Sequence, residues 1–310
     1  MIVVSVMGGL GNQMQQYALY RKLKDLGKDA KLDTSWFLDE KAQEKVLAPR
    51  SLELSRFVGL PMDVATKKER DALAGTGSFL DKVKKKLGKS RVFTESKMYH
   101  GEIFSMDNVY LSGYFACNKY YWDIMGELRK DFVFPESADP DVRKKNEEIR
   151  QRMQDPDVFS VSVHLRRGDY LDSANAAILG GICTKEYYEA ACRYAEDRAE
   201  EEGKTPLFFV FSDDMDYARS CTFGTKGEEV LFCDFNKGQD NMLDMQLQSF
   251  CRANITANST FSFWGSRLNP RDNALRIRPF RHRNNQVPEP SVLHDLWPGY
   301  VLIDRDGSIR

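Results

Sequence analysis

The sequence predicts a two-domain α/β protein, and three observations carry that prediction. At the start a short apolar run, IVVSV (2–6), meets a glycine turn and then a helical pattern. Beyond residue 156, apolar runs recur at helix-length intervals: VFSVSVH (158–164), LFFVFS (207–212), EVLFCD (229–234) and ANITA (253–257). Strands alternating with helices build parallel sheets covered on both faces. Finally, 310 residues is long for one core and comfortable for two domains.

The first strand feeds a helix expected to reach about Leu26, with Leu19, Leu23 and Leu26 on one face and Gly27 as its stop. Ala30 and Leu32 mark a second strand. Residues 61–98 are polar and lysine-rich, and the KVKKKLGKSR run at 82–91 reads as a solvated helix face or loop. VYLSGYFA (109–116) is strand-like and leads into the aromatic stretch NKYYWDIM. Between Pro135 and Pro156 the chain is strongly charged and punctuated by proline, which predicts a helix flanked by linkers. The domain boundary is therefore expected near 155, giving domains 1–155 and 156–310. In the second half, Thr184 is placed to cap a helix over 185–202 that Gly203 ends, and a helix is expected over 241–251.

Composition excludes several function classes. The chain carries 45 basic and 46 acidic residues, so no long-range field draws it to nucleic acid or anionic lipid. No apolar stretch approaches the roughly 20 residues needed to span a bilayer, and the N-terminus lacks a signal-peptide pattern. Its six cysteines show no CxxC pair and read as reduced, partly buried thiols of a cytoplasmic protein.

Chemistry concentrates at strand ends. His164-Leu165-Arg166-Arg167-Gly168-Asp169-Tyr170 follows a buried strand, at the sheet edge where α/β proteins bind ligands. Arginine offers a planar, permanently charged fork suited to a diphosphate, and Gly168 allows close backbone approach; an Arg–Asp surface pair is the plain alternative. Ser212-Asp213-Asp214 ends the next strand. Its carboxylates suit a guanine edge or a ribose, a divalent metal together with Asp216, or the cap of the following helix. Asn258-Ser259-Thr260-Phe261-Ser262-Phe263-Trp264-Gly265 opens a helix, where hydroxyls and free N–H groups form an anion site. Its aromatic residues read as core. The first loop, Gly8-Gly9-Leu10-Gly11-Asn12-Gln13-Met14, has Met14 where a dinucleotide fingerprint needs its third glycine, and no P-loop motif occurs anywhere.

In chain order, GGLGNQMQQYA, GYFACNKYY, HLRRGDY, FSDD and NSTFSFWG closely resemble the bacterial α-1,2-fucosyltransferases, over residues 8–268. The resemblance implies the GT-B fold, two Rossmann-like domains facing across a cleft, and a metal-independent, inverting transfer of fucose from GDP-fucose to the 2-hydroxyl of a β-galactoside. On the donor side it implies Arg166 on the β-phosphate, Arg167 in support, His164 lining the nucleotide site and Asp214 reading guanine beside Asp213. Ser259, Thr260 and Ser262 would lie along the diphosphate. Gly9, Gly11, Asn12 and Gln13 would face the acceptor, an oligosaccharide or lipid-linked glycan. The base is open among Asp169, Asp172 and His164, because the glutamate that α-1,6 relatives carry past the double arginine is absent here. No cofactor, metal or nucleic-acid partner is implied, and the location expected is cytoplasmic, at most peripheral to the inner membrane.

Overall fold

Among the described residues, ten strands form two separate, wholly parallel sheets. The computed structural model describes residues 1–44, 46, 49–75, 90–224, 227 and 229–310. Most of the lysine-rich run expected at 82–91 lies outside the described residues. The chain divides into two compact units, Met1–Val133 and Phe134–Arg310.

In the first unit β1 (Ile2–Ser5) pairs with β2 (Ala30–Asp33) and with β4 (Val109–Ser112), whose other neighbour is β3 (Val92–Thr94), giving the order β2-β1-β4-β3. All four residues of β1 are buried, as a central parallel strand requires. Helix α1 (Leu10–Asp25) follows the glycine turn and buries Met14, Tyr17, Ala18, Leu19 and Leu23. It ends in a Schellman motif: Gly27 N–H donates to Lys24 O at 2.9 Å and Lys28 N–H to Leu23 O at 3.0 Å. Gly27 is thus the predicted stop, but Leu26 caps the helix and is 46% exposed instead of extending the buried face.

The second unit is built around β5 (Val158–Leu165), seven of whose eight residues are buried. Its partners are β6 (Thr205–Ser212) and β8 (Ala253–Ile255); β7 (Glu229–Phe232), β9 (Leu275–Pro279) and β10 (Tyr300–Ile303) complete the order β10-β9-β8-β5-β6-β7. Numbered within the unit and read from β7, that is 3-2-1-4-5-6, the doubly wound nucleotide-binding order. Its topological switch lies between β5 and β8, and the loops leaving those two strands are HLRRGDY and NSTFSFWG.

The division of units falls at 133/134, not near 155. Helix α2 (Pro140–Gln154), capped by Asp139 with Pro140 in its first turn, joins the second core: Met153 is wholly buried with Leu207, Phe209, Phe211 and Cys251. The charged stretch does hold the expected helix, but that helix lies on the second sheet instead of standing between linkers. Helix α3 (Lys185–Glu201) forms as predicted. Thr184 Oγ1 accepts from Tyr187 N at 3.2 Å, and Gly203 closes a second Schellman motif with Lys204 N–H on Ala199 O at 2.9 Å. The expected helix over 241–251 is shorter, Met242–Gln248. All six cysteines are free. No helix among the described residues is long and apolar enough to cross a membrane.

Candidate active site

Three segments of the second unit meet at the carboxyl edge of its sheet. The loop after β5 carries Arg166 and Arg167, β6 ends at Ser212 and delivers Asp213 and Asp214, and the loop after β8 opens helix α4 (Thr260–Leu268). The guanidinium of Arg166 sits between two carboxylates: Nη2 donates to Asp169 Oδ1 at 2.6 Å, and Nη1 lies 2.9 Å from Asp213 Oδ2. Burial works against its charge, but Asp213 and Asp169 outweigh that and hold its pKa above the ordinary value.

Asp213 also accepts the backbone N–H of Arg167 at 2.9 Å, so one carboxylate fixes the side chain of one arginine and the main chain of the next. Gly168 makes this possible. A Cβ there would stand 2.4 Å from Asp213 Oδ2. Arg167 turns the other way, with Nε on Asp214 Oδ2 at 3.0 Å and its guanidinium carbon 3.5 Å from the centre of the Tyr217 ring. Asp214 also caps the short helix Met215–Ser220, its Oδ1 accepting from Tyr217 N at 3.1 Å. Helix capping, one of the alternatives open on sequence grounds, and arginine pairing are thus done by one carboxylate. Among the described residues no group of three or more His, Cys, Asp or Glu side chains gathers to hold a metal ion.

His164, the last but one residue of β5, is 6% exposed and stacks on Phe261 with ring centres 5.6 Å apart. Burial, with Arg166 beside it, pushes its pKa down to about 3, so the ring is neutral across the physiological range. Asp172 stands at the N-cap of the helix Ser173–Leu179, exposed, with no capping bond from its side chain.

On the third segment, Ser259 is the N-cap of α4 and accepts from Phe261 N at 3.3 Å. Thr260 is half-buried at the helix start, where unpaired N–H groups give an N-terminus its affinity for anions. Ser262 differs from the expectation. It is wholly buried and its Oγ donates back to Ser259 O at 3.2 Å, a helix-internal bond that removes it from the surface of the site.

The acceptor-side residues lie in the first unit and also divide. Gly9 is the N-cap of α1 and Asn12 is half-buried, whereas Gly11 and Gln13 are enclosed. Gln13 Nε2 donates to Gly8 O and Ser51 O at 2.8 and 2.9 Å, and its Oε1 accepts from Glu53 N and Leu54 N at 2.8 and 3.2 Å. With every polar atom used by the chain, Gln13 braces its loop and offers nothing to a ligand.

The geometry adds Leu171, Cys183 and Tyr217, which sequence reasoning did not place at the site, and gives a part to Tyr170 and Asn258 of the quoted motifs. A cavity of about 220 Å³ opens beside the two arginines, with Tyr170, Leu171, Cys183 and Asn258 in its lining. Asn258 holds that wall together: its Nδ2 donates to Leu179 O at 3.0 Å and His282 O at 3.2 Å, and its carbonyl accepts Tyr170 Oη at 3.1 Å. Tyr217, 38% exposed, is the other addition, and its position three residues past Asp214 was the available signal.

Known proteins similar to this chain are glycosyltransferases. Two Escherichia coli proteins are each 29% identical. The O-antigen biosynthesis glycosyltransferase WbnK matches 88% of this chain and 91% of its own length, and an alpha-1,2-colitosyltransferase matches 90% and 91%. The mouse galactoside 2-alpha-L-fucosyltransferase Sec1 is 26% identical over 62% of this chain and 51% of its own. Among solved structures, the fucosyltransferase NodZ from Bradyrhizobium aligns with a TM-score of 0.45 at 13% identity, covering 87% of this chain and 92% of that one. The family model that matches residues 89–293, which include all three loops of the site, is the one described as glycosyl transferase family 11, and the chain belongs to that family.

Proposed function

We propose that the protein transfers L-fucose from GDP-β-L-fucose to the 2-hydroxyl of a terminal β-galactoside, inverting the anomeric centre without a metal ion. The observation that carries this reading is the pair of arginines at the switch point of a doubly wound sheet, opposite the start of a helix. Two positive forks and an open helix terminus facing one edge suit a diphosphate leaving group. The sugar and the linkage are supported by the activities of two relatives, alpha-1,2-colitosyl and galactoside 2-alpha-L-fucosyl transfer.

In the proposed reaction the acceptor oxygen bonds to the anomeric carbon as the bond from that carbon to the diphosphate oxygen breaks. The electron pair leaves with GDP, and the hydroxyl proton passes to a carboxylate. Arg166, fixed in advance by Asp169 and Asp213, meets the charge that builds on the diphosphate without reorganising. Of the three candidate bases, Asp169 is engaged with Arg166 and His164 is enclosed. Asp172 is the carboxylate that no capping bond occupies, and we assign the proton to it. Asp214 and Tyr217 serve the nucleoside side, with Arg167 between them.

Incubation with GDP-fucose and lactose, read by GDP release and proton NMR, tests the reading. An α-fucoside on galactose O2 is expected. A β-fucoside overturns the single displacement, by the geometry that separates inverting from retaining sugar transfer. A second reading, colitosyl transfer, is favoured by the 29% relative of that activity. It predicts GDP release from the colitosyl donor but not from GDP-fucose.

A further inference from the structure

Strand β9 carries two arginines on one face, Arg276 and Arg278, while Leu275 and Ile277 point into the core on the other. Both arginines are buried, and they are treated differently. Arg276 reaches the end of helix α4, where Nε donates to Ser266 O at 3.1 Å and Nη2 to Asn269 O and Arg271 O at 3.2 and 3.1 Å. Carbonyls at a helix C-terminus are natural partners for a guanidinium.

Arg278, two residues nearer the carboxyl edge of the sheet, is 0% exposed and has only Nε paired, to Pro279 O at 3.2 Å. Its Nη1 and Nη2 have no partner among the described residues, nor do the neighbouring His282 Nδ1 and Trp297 Nε1. The guanidinium lies 4.1 Å from the centre of the Trp297 ring and 4.9 Å from that of Phe263, in the first turn of α4. Ring faces satisfy part of the charge but accept no bond from in-plane N–H groups. The strongest electrostatic influences of other residues on Arg278 come from Tyr300, Arg267, Tyr187 and Cys183, none of them a carboxylate. A buried cation near the N-terminal turn of a helix, with a second arginine for a neighbour, opposes the helix dipole as well as the cost of desolvation.

What lies beside it accounts for the arrangement. Cys183 lines the cavity that also holds Arg166 and Arg167, and Asn258 of that cavity donates to the carbonyl of His282. We propose that Arg278 is a positioning charge for the anionic donor: a guanidinium kept without a counter-ion behind the wall of the arginine cavity, balanced only when a diphosphate occupies the site. It does not touch the ligand. It adds a fixed, water-excluded positive field behind the helix start, where a diphosphate gains from it and a neutral sugar or nucleoside does not. The inference rests on the donor reading above and extends it to a residue outside the three loops.

The experiment compares Arg278→Met and Arg278→Lys with the wild-type protein, using thermal unfolding without ligand and titrations with GDP, inorganic pyrophosphate and guanosine. An uncompensated buried charge predicts an unusual pair of signs. Arg278→Met should unfold at the same temperature as wild type or higher, yet bind GDP and pyrophosphate at least about tenfold more weakly, with guanosine unchanged. Arg278→Lys, which keeps the charge, should retain most of the affinity. If Arg278→Met unfolds at lower temperature or fails to fold, the charge is balanced within the protein and the proposal falls. It falls equally if Arg278→Met binds GDP like wild type. Failure of the wild-type protein itself to bind GDP would instead overturn the donor reading, and the ligand-free comparison would still judge whether Arg278 lacks a counter-charge.

Discussion

Replacing Gly168 with alanine tests the electrostatic clamp through one methyl group. The new Cβ would lie 2.4 Å from Asp213 Oδ2, and the next contact, Asp213 Cγ, is at 3.4 Å. Restoring ordinary van der Waals separation moves that oxygen by ~1 Å, since close-packed neighbours leave no slack. The same oxygen is 2.9 Å from Arg166 Nη1, and its partner Oδ1 is 2.9 Å from Arg167 N, so the shift loosens both bonds. Charge-assisted bonds are worth roughly 1.5–3 kcal/mol when fully buried. Arg166 and Asp213 are 27% and 26% exposed, which discounts each bond to about 1 kcal/mol. Gly168→Ala should therefore destabilise the protein by about 2 kcal/mol in urea unfolding and weaken GDP binding by roughly 10–100-fold through the displaced arginine. Asp213→Ala removes the obstacle. In that background the glycine substitution should add less than about 0.5 kcal/mol, a coupling that distant sites do not show. Equal costs of Gly168→Ala in both backgrounds would refute the clamp, because the damage would then come from the backbone.

Three further outcomes are expected. Arg166→Lys keeps a positive charge but loses the fork, and kcat/KM should fall by the equivalent of roughly 2–4 kcal/mol; turnover near wild type would remove Arg166 from the diphosphate. Activity should persist in excess EDTA, and loss restored by magnesium or manganese would return Asp213, Asp214 and Asp216 to consideration as ligands. Stability between about pH 5 and 6.5 should fall as pH falls, because His164 and His282, both pushed down to about 3, take protons only on unfolding, while Asp244, pushed up to about 7 by burial, releases one. The net is one proton, about 1.4 kcal/mol per pH unit. Asp244→Asn should double that slope, and an unchanged slope in denaturant titrations across the window would contradict the assignment.

Most of the second unit was legible because its signals are local. Runs such as LFFVFS can satisfy their apolar length only inside a covered sheet, and the Thr184 and Gly203 caps sit next to the helix they bound. What was missed depends on partners distant in sequence. Strand β9, LRIRP, alternates arginine with aliphatic residues and reads as half-exposed, yet every residue is buried, because Arg276 finds carbonyls at the end of α4 and Arg278 faces Trp297. The boundary near 155 failed for a related reason. Helix α2 exposes so much charge that its one wholly buried core residue, Met153, gives little periodic signal. The candidate site was found as a set of motifs, but the work of its members was not. Hydroxyls look alike in sequence whether they stay partly exposed at a helix start, as at Thr260, or close a helix turn, as at Ser262.

The pairing of the two arginines with three aspartates explains how the site stays both charged and ordered. A lone Arg166 at a sheet edge would sample many rotamers and lose that freedom on binding. Held by Asp169 and Asp213, it has already given up that freedom, so the proposed diphosphate would meet a fixed fork. In the proposed reaction the same carboxylates would neutralise much of the arginine's field, limiting how tightly GDP is held and favouring its release. Arg167 balances that loss on its own side, since Tyr217 contributes a ring face without a negative charge and one carboxylate, Asp214, serves both the arginine and the helix cap. Fixed geometry with moderated charge suits a leaving group that must be stabilised as it departs and then let go. Ordering by carboxylates, rather than by a bound cation, also makes the clamp sensitive to the one methyl group that Gly168 omits.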